Sequence, residues 1–437
     1  MILDPVKFFN ACNPSKTLNI DRAEDYSYYI DFSPVRGPNA IQRLRRTIVH
    51  QPDETTCQLF AGHIGCGKST ELFRLKSELE QQGFHVVYFE SSADLDMADV
   101  DVSDILLAIA RQVTGSLEAA NIHLKPGYLL NLFSEVADFL QTPIEFSAEA
   151  SVSFPLKLGK ITAKTKDSPK LRSQLRQYLE PRTAGILEAI NQEILGRATE
   201  LLKQRGQKGL VTIVDNLDRV DLSRKASGRS QPEYLFVDRG EQLKRLNCHV
   251  VYTIPLVLIF SNELSPLINR FGIKPIVLPM VAATERDGSD CQEGMKLLRQ
   301  MVLARAFPHL QPEKRLDAIA QVFDAPETLD RLCRISGGHA RNLLILLYSC
   351  LQEEDPPIQK DCLERAIREH RDDLIAAISD SEWALLHQIV EQGDNVQGEE
   401  EYQILLRSLF LLEYRDKEGR WFGVNPAIAE SKKFQQG

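Results

Sequence analysis

Residues 62–70 read Gly62-His63-Ile64-Gly65-Cys66-Gly67-Lys68-Ser69-Thr70, a complete G-x-x-x-x-G-K-[ST] loop. The loop follows an apolar run from Cys57 to Ala61 and precedes a helical pattern from Glu71 to Gln82. In such a loop the backbone N–H groups and the N-terminus of the next helix surround the phosphates of a nucleotide. Lys68 is expected to reach the β- and γ-phosphates, and Ser69 to ligate Mg²⁺. The sequence therefore predicts a nucleotide-binding P-loop at residues 62–70.

A second segment completes this prediction. It reads Gly209-Leu210-Val211-Thr212-Ile213-Val214-Asp215-Asn216-Leu217-Asp218-Arg219, an apolar strand that ends in a carboxylate. The carboxyl end of a buried parallel strand lies at the sheet edge that also carries the P-loop, so Asp215 is expected to hold Mg²⁺ through its water shell. Asp218, one short turn further on, would orient or deprotonate an attacking water molecule.

Three more apolar runs, at residues 83–90, 249–255 and 274–280, have the length and composition of buried strands. Strands that alternate with helical patterns predict an α/β fold in which helices cover both faces of a parallel sheet. Thr253, near the end of the second run, is expected either to contact the γ-phosphate or the lytic water, or to be purely structural.

An insertion interrupts this domain near residues 142–174. Alternating small, apolar and polar residues predict a β-hairpin or a flexible ribbon there. The segment is also the most basic of the chain, with Lys157, Lys160, Lys164, Lys166, Lys170 and Arg172. Such a segment is either a contact for nucleic acid or a partner, or an ordinary solvated hairpin.

The remaining sequence predicts four regions in order: a lead-in segment at 1–55, the P-loop core at 56–285, an all-helical lid at 286–375, and a winged helix at 376–437. The winged helix is expected to contain helices at Asp380–Gln392 and Glu401–Tyr414. A turn at Lys417-Glu418-Gly419 predicts a two-stranded wing after them.

The composition excludes several classes of protein. The 437 residues carry a net charge of −9, which argues against a dominant nucleic-acid surface. No apolar run approaches the roughly eighteen residues of a membrane span, and the N-terminus has no secretory pattern, so a cytoplasmic protein without membrane contact is expected. The eight cysteines contain no C-x-x-C pair, which predicts reduced thiols and no zinc site.

These parts, in this order over most of residues 40–430, resemble the AAA+ ATPases and the related STAND signalling NTPases. The run from Asp215 to Arg219 looks like the D-x-L-D-R form of STAND and KAP-type NTPases. It departs from the Asp-Glu pair of AAA+ proteins, since Asn216 stands where their catalytic glutamate lies. Because asparagine cannot accept a proton from water, the resemblance implies a slow ATPase, with Asp218 as the better candidate base.

The same resemblance suggests roles for two arginines. Arg270 looks like an arginine finger that a neighbouring subunit supplies, which would imply a homo-oligomer in the ATP state. Arg341, which follows Gly337-Gly338 at the start of a lid helix, resembles the sensor-2 arginine that reaches the γ-phosphate in cis. An ion-paired surface arginine at 270 and an ordinary helix-terminal arginine at 341 remain the alternatives.

The leading hypothesis is an ATP- and Mg²⁺-dependent switch of the STAND or AAA+ type that controls assembly or the binding of a partner protein. An ATP-dependent DNA-transaction factor is the alternative, and a nucleotide-binding scaffold with negligible turnover is a third. Acidic residues outnumber basic ones around the winged helix, which favours protein docking over DNA contact. The resemblance alone favours ATP over GTP as the nucleotide.

Overall fold

The computed structural model describes residues 2–37, 39–139, 168–225, 227–392 and 400–436, together with Pro155, Gly159 and Lys166. Most of the hairpin predicted near 142–174 lies outside the described residues, including Lys157, Lys160 and Lys164. Its last part is helical instead, because a helix begins at Pro169 after the N-cap Ser168. Lys170 and Arg172 belong to this helix, where Arg172 is buried and paired with Asp96.

A parallel sheet of five strands forms the centre of the molecule, in the order β2-β3-β4-β1-β5. The strands are β1 Cys57–Gly62, β2 His85–Glu90, β3 Leu210–Asp215, β4 His249–Thr253 and β5 Ile276–Leu278. Strand β4 lies between the P-loop strand β1 and the carboxylate-ended strand β3. The predicted α/β fold is confirmed, and β4 is an extra strand between the two strands that carry the nucleotide motifs.

Helices cover both faces of the sheet, and this burial explains the apolar composition of the strands. Every residue of β3 is buried. Around the sheet, the helices of the lead-in segment and core are Pro5–Ala11, Ala23–Ser27, Ala40–His50, Lys68–Gln81, Ser91–Asp94, Val102–Ala119, Gly127–Phe139, Pro169–Leu179, Thr183–Ala189, Arg197–Gln204, Gly240–Lys244 and Leu264–Phe271. Shorter 3-10 and π turns join them at Ser33–Val35, Glu180–Arg182, Ile190–Gly196, Leu217–Arg219, Glu233–Asp238 and Leu256–Phe260.

The lid has its own apolar core, which Phe8 and Phe32 of the lead-in segment join. Its helices are Gln292–Ala306, Pro312–Asp317, Pro326–Ile335, Ala340–Glu353 and Lys360–Ala376, with a 3-10 turn at Ile319–Gln321. The predicted helical lid is therefore present. Between residues 312 and 321 the lid contains a short helix followed by a separate turn.

The C-terminal region contains helices Asp380–Gln392 and Glu400–Arg407, then β6 Leu411–Arg415 and β7 Arg420–Val424, then short helices Pro426–Ala429 and Lys432–Gln435. The antiparallel pair β6 and β7, here called the ribbon, confirms the predicted wing. The prediction of a helix through Tyr414 was wrong after Arg407. Leu409 adopts a left-handed conformation that ends the helix, and Tyr414 pairs and stacks with Trp421 across the ribbon.

Among the described residues, no helix combines the length and the apolar character that crossing a bilayer requires.

Candidate nucleotide-binding site

The P-loop connects β1 to the helix Lys68–Gln81, whose first N–H groups face the loop. Gly65 and Gly67 have φ values of 88° and 102°, which favour glycine. At Gly65 a Cβ atom would also lie 2.8 Å from Nε2 of His339 and 2.9 Å from Cβ of Arg341. The lid thus presses directly on the loop, and only glycine fits at the point of contact.

Lys68 is almost completely buried, with 6% of its side chain exposed, and its ammonium group has three partners. It donates hydrogen bonds of 2.8 Å to the carbonyl oxygens of Gly62 and His63, and it lies 2.9 Å from Oδ2 of Asp218. Burial acts to lower the pKa of Lys68, but the neighbouring acidic groups, with Asp218 first among them and Asp215 also contributing, together outweigh burial and raise it. Lys68 is therefore a charged group whose present counter-ion, Asp218, a phosphate can replace.

Asp215 ends β3 and is 1% exposed. Its Oδ2 accepts a hydrogen bond of 2.8 Å from the hydroxyl of Tyr88, and its Oδ1 accepts one of 2.7 Å from the N–H of Asn216. Burial, and then the charge of Asp215, raise the pKa of Tyr88, while the neighbouring Ser69 hydroxyl acts to lower it. The Tyr88 hydroxyl thus lies beside both the Asp215 carboxylate and the Ser69 hydroxyl, two hard oxygen donors that fit Mg²⁺ held directly or through water.

Tyr88 was missed by sequence reasoning. It lies in β2, whose partner register aligns Glu90 with Asp215. The carboxyl ends of neighbouring parallel strands lie at the same edge of a sheet. A tyrosine two residues before the end of β2 could therefore have been predicted to lie near Asp215.

The turn after β3 is held by side chains on neighbouring strand ends. Asn216 is left-handed, with φ 65°, and its amide donates to Oε2 of Glu90 at 3.2 Å and to Oγ of Ser92 at 3.1 Å. Thr253 is fully buried; its hydroxyl accepts from the N–H of Leu217 at 3.1 Å and donates to the carbonyl of Val214 at 3.4 Å. These contacts support the structural interpretation of Thr253, which fixes the turn but does not line the cleft.

Asp218 and two arginines border the phosphate end of the cleft. Within the described residues, Oδ1 of Asp218 is buried without a hydrogen-bond partner. Arg341 donates its backbone N–H to the carbonyl of Gly65 at 3.3 Å, and its side chain lines the same cleft as Lys68. Burial, and then the nearby charge of Arg219, lower the pKa of Arg341. Arg341 therefore lies at the P-loop as the resemblance implied.

Arg270 lies elsewhere. It is an exposed residue in the last turn of Leu264–Phe271, and its Nε donates to the carbonyl of Val237 at 3.0 Å. It does not line the cleft of its own chain. A role for Arg270 in a neighbouring subunit stays a prediction.

Most of the remaining P-loop residues line the cleft, whereas Cys66 is buried below the loop. Ile64, Gly65, Gly67, Ser69 and Thr70 line the cleft. Cys66 also borders it, but the residue is buried, with its thiol 3.9 Å from the carbonyl of Leu278, so it fills space below the loop.

An apolar wall of the cleft comes from two distant parts of the chain, which also contribute Lys16 and Arg305 to the lining. The lead-in segment contributes Leu18, Tyr28, Ile30 and Phe32, and the lid contributes Met301 and Leu344. Arg36 of the lead-in segment donates to the carbonyl of Cys66 at 2.7 Å, which ties this wall to the P-loop. An apolar wall beside a phosphate cradle suits a nucleoside base.

The side chain of His63 does not line the cleft, and a nucleotide contact through the backbone of this residue stays a prediction. His63 is 2% exposed; its Nδ1 lies 3.1 Å from the carbonyl of Leu406, and its Nε2 accepts from the N–H of Glu413 at 3.1 Å. These partners require a neutral ring protonated at Nδ1. Burial, helped by the charge of Lys68, lowers the pKa of His63 to about 3.

His339 makes the corresponding link to the lid. Its Nε2 lies 2.8 Å from the carbonyl of Ile64, and its Nδ1 accepts from the N–H of Asn342 at 3.1 Å. Burial lowers the pKa of His339 to about 4, so this ring is also neutral near pH 7. Two consecutive P-loop residues, His63 and Ile64, are thus bonded to the winged helix and to the lid.

No protein-family model matches the chain, and no curated protein matches it in sequence. Among solved structures, a Walker-type ATPase of Pyrococcus abyssi is 12% identical, with 96% of this chain and 98% of that chain covered and a TM-score of 0.44. The ORC2 protein of Aeropyrum pernix, in ADPNP and ADP complexes, is 13% identical over 90% and 91% of the two chains, with a TM-score of 0.42. Cdc6p from Pyrobaculum aerophilum is 12% identical over 94% and 97%, with a TM-score of 0.39.

Proposed function

We propose that the protein is an ATP-binding and slowly hydrolysing switch of the STAND or AAA+ type, in which the nucleotide controls the position of the winged helix. One observation carries this proposal: His63 belongs to the phosphate-binding loop and is hydrogen-bonded to two backbone groups of the C-terminal region, at Leu406 and Glu413. Any movement of the loop that phosphates impose acts directly on those bonds.

Phosphate binding changes the partners of Lys68. The β- and γ-phosphates of ATP compete with Asp218 for the ammonium group, since both are anions and Lys68 has no further proton to donate. Ser69 and Asp215 would hold Mg²⁺, with Tyr88 orienting the carboxylate, and the bound ion would neutralise charge on the phosphates. Once released from Lys68, Asp218 is the carboxylate best placed to orient the attacking water.

The ribbon is bound to the core beside this site. The N–H of Met280, just after β5, donates to the carbonyl of Glu413 at 2.9 Å, and the Tyr414 hydroxyl donates to the carbonyl of Gly337 at 2.7 Å. Leu412, Tyr414 and Trp421 pack in the same apolar core as the P-loop helix. The ribbon therefore touches the P-loop domain and the start of the lid, the two parts between which the nucleotide would lie.

Two measurements test this proposal together. Steady-state Mg·ATP hydrolysis, with Lys68→Ala as the blank, reports turnover. Spin labels at the exposed positions Arg43 and Lys417 report the distance between core and wing in the absence of nucleotide, with ADP and with a non-hydrolysable ATP analogue. We expect the ATP analogue to change this distance in the wild type and not in Lys68→Ala. One distance in all states, alongside normal turnover, would leave an ATPase but refute the switch.

The DNA-transaction alternative has less support. The Nε of Arg420 lies 2.8 Å from Oε1 of Glu413, and that of Arg286 lies 2.6 Å from Oδ2 of Asp416. These arginines at the ribbon are therefore paired with carboxylates of the same chain, whereas a DNA-binding surface needs cations that can pair with phosphates. A protein partner, and assembly of several copies in the ATP state, fit the switch better.

A further inference from the structure

Arg219 and Arg341 form an unusual pair of charges. Both side chains line the cleft that contains Lys68, and they are close enough for the charge of Arg219 to act on Arg341. Lys68 has Asp218 as a counter-ion, but neither guanidinium has a hydrogen-bond or ion-pair partner anywhere in the described part of the chain. Arg219 is exposed and Arg341 is half-buried, so these two neighbouring guanidinium groups can both donate hydrogen bonds to an anion that binds in the cleft.

The position of Arg219 relative to Lys68 indicates which part of a nucleotide this anion is. The ammonium group of a P-loop lysine lies where the β- and γ-phosphates meet. Asp218 is 2.9 Å from that group, and Arg219 is the next residue, in the 3-10 turn Leu217–Arg219. The bond from Leu217 to the fully buried Thr253 fixes this turn. Arg219 therefore lies on a fixed turn, next to the residue that pairs with Lys68, and lines the cleft there.

A second cavity of about 190 Å³ adjoins this end. Its walls include the first residues of the P-loop, the turn that carries Asp218 and Arg219, the segment Pro255–Val257 after β4, and Leu406 with Arg407. Asp218 and Arg219 border both the cleft and this cavity. Leu406 and Arg407 of the C-terminal region of the same chain thus form one wall of this cavity.

We propose that Arg219 contacts the γ-phosphate in cis, together with Arg341, and stabilises the charge that develops there, so that each subunit completes its own active site. Water attacks the γ-phosphorus while the bond to the β–γ bridging oxygen breaks; ADP leaves with that electron pair, and Asp218 takes the water's proton. A planar guanidinium suits this task because it donates two parallel hydrogen bonds to phosphate oxygens. This inference rests on the proposed ATPase activity and replaces a trans finger at Arg270.

The test compares single-site variants of the full chain. Arg219→Ala is expected to lower kcat by about 10³-fold. Its ADP affinity should stay close to that of the wild type, because Arg219 serves the γ-phosphate. Arg46→Ala, which removes an exposed arginine of Ala40–His50 that borders neither cavity, is the matched control. Binding of ADP with aluminium fluoride, which mimics the transferred phosphoryl group, gives a readout besides turnover and should weaken in Arg219→Ala only.

Dilution separates the cis and trans arrangements. With Arg219 in cis, kcat per wild-type subunit stays constant when the protein is diluted until it is monomeric, and Arg270→Ala leaves it unchanged. Equal kcat in Arg219→Ala and Arg46→Ala, or a kcat that collapses on dilution and in Arg270→Ala, would overturn the inference. If the wild type shows no turnover above Lys68→Ala, the proposed function itself fails, a result that is distinct from either of these.

Discussion

At the scale of single residues, the contact between Lys68 and Asp218 explains how the site can be stable without a nucleotide and still be ready for one. Both side chains are more than nine-tenths buried, and their charges neutralise each other. Removing the counter-ion of a buried cation strongly destabilises the folded state, whereas replacing that counter-ion with another anion does not. The pair therefore keeps Lys68 charged and placed until phosphate oxygens take over the role of Asp218.

This exchange predicts opposite effects of one substitution. Asp218→Asn leaves the ammonium group of Lys68 without a counter-ion, so the nucleotide-free protein should lose about 3 kcal/mol of unfolding free energy. ATP supplies the missing negative charge, so it should raise the Tm of the variant by more than it raises that of the wild type, while turnover falls. Thermal unfolding with and without Mg·ATP measures both effects. Asp221→Asn, an exposed change two residues after Arg219, is the control. Equal nucleotide-induced shifts in Asp218→Asn and the wild type would show that Asp218 does not act as a stand-in for phosphate.

At the scale of elements, the ribbon carries a titratable group at its contact with the core. Glu413 of β6 is 1% exposed; its Oε1 is 2.8 Å from Nε of Arg420, although the two groups are misaligned for a hydrogen bond. Burial raises the pKa of Glu413 to about 7, and Arg420 and Arg415 only partly oppose this. The raised pKa means that the folded protein binds this proton more tightly than the unfolded chain does.

The raised pKa of Glu413 makes the unfolding free energy of the protein depend on pH. A carboxyl group with a folded pKa near 7 and an unfolded value of 4.5 favours the folded state at low pH, and this contribution is lost as the pH rises from about 4.5 to 7. The full change corresponds to about 3 kcal/mol. We expect the unfolding free energy of the wild type to fall over this range and that of Glu413→Gln to fall less. Denaturant unfolding at several pH values measures the difference, and parallel curves for the two proteins would contradict it.

The ribbon also shows where local sequence patterns stop being informative. The run Glu401 to Tyr414 has helical composition, but the helix ends at Arg407, and Leu411 to Arg415 pair with β7 instead. The left-handed Leu409 reverses the chain, and the stacked Tyr414 and Trp421 rings favour the strand. Tertiary contacts with the P-loop core thus override the helical preference of the segment.

At the scale of the whole molecule, the two nucleotide motifs were predictable because each lies within about ten consecutive residues. The loop 62–70, Asp215 and the positions of the strands along the chain needed no knowledge of distant contacts. In contrast, the bond between His63 and Glu413 joins residues 350 positions apart, and the apolar wall of the cleft unites the lead-in segment with the lid. No periodicity or spacing in the sequence encodes such pairings, so the contact that supports the switch came only from the structure.

The distribution of charge over the whole chain leads to the last prediction. The net charge is −9, and Arg286 and Arg420 at the ribbon are held by its acidic residues. A DNA-dependent ATPase would neutralise several phosphates, so its stimulation by DNA would fall steeply with salt. We expect turnover to be indifferent to duplex DNA at both 50 mM and 200 mM salt, roughly the range over which phosphate contacts lose most of their affinity. Because the basic segment 157–172 is part of the chain that is assayed, a strong DNA stimulation that disappears at the higher salt would favour the DNA-transaction function and direct attention to that segment.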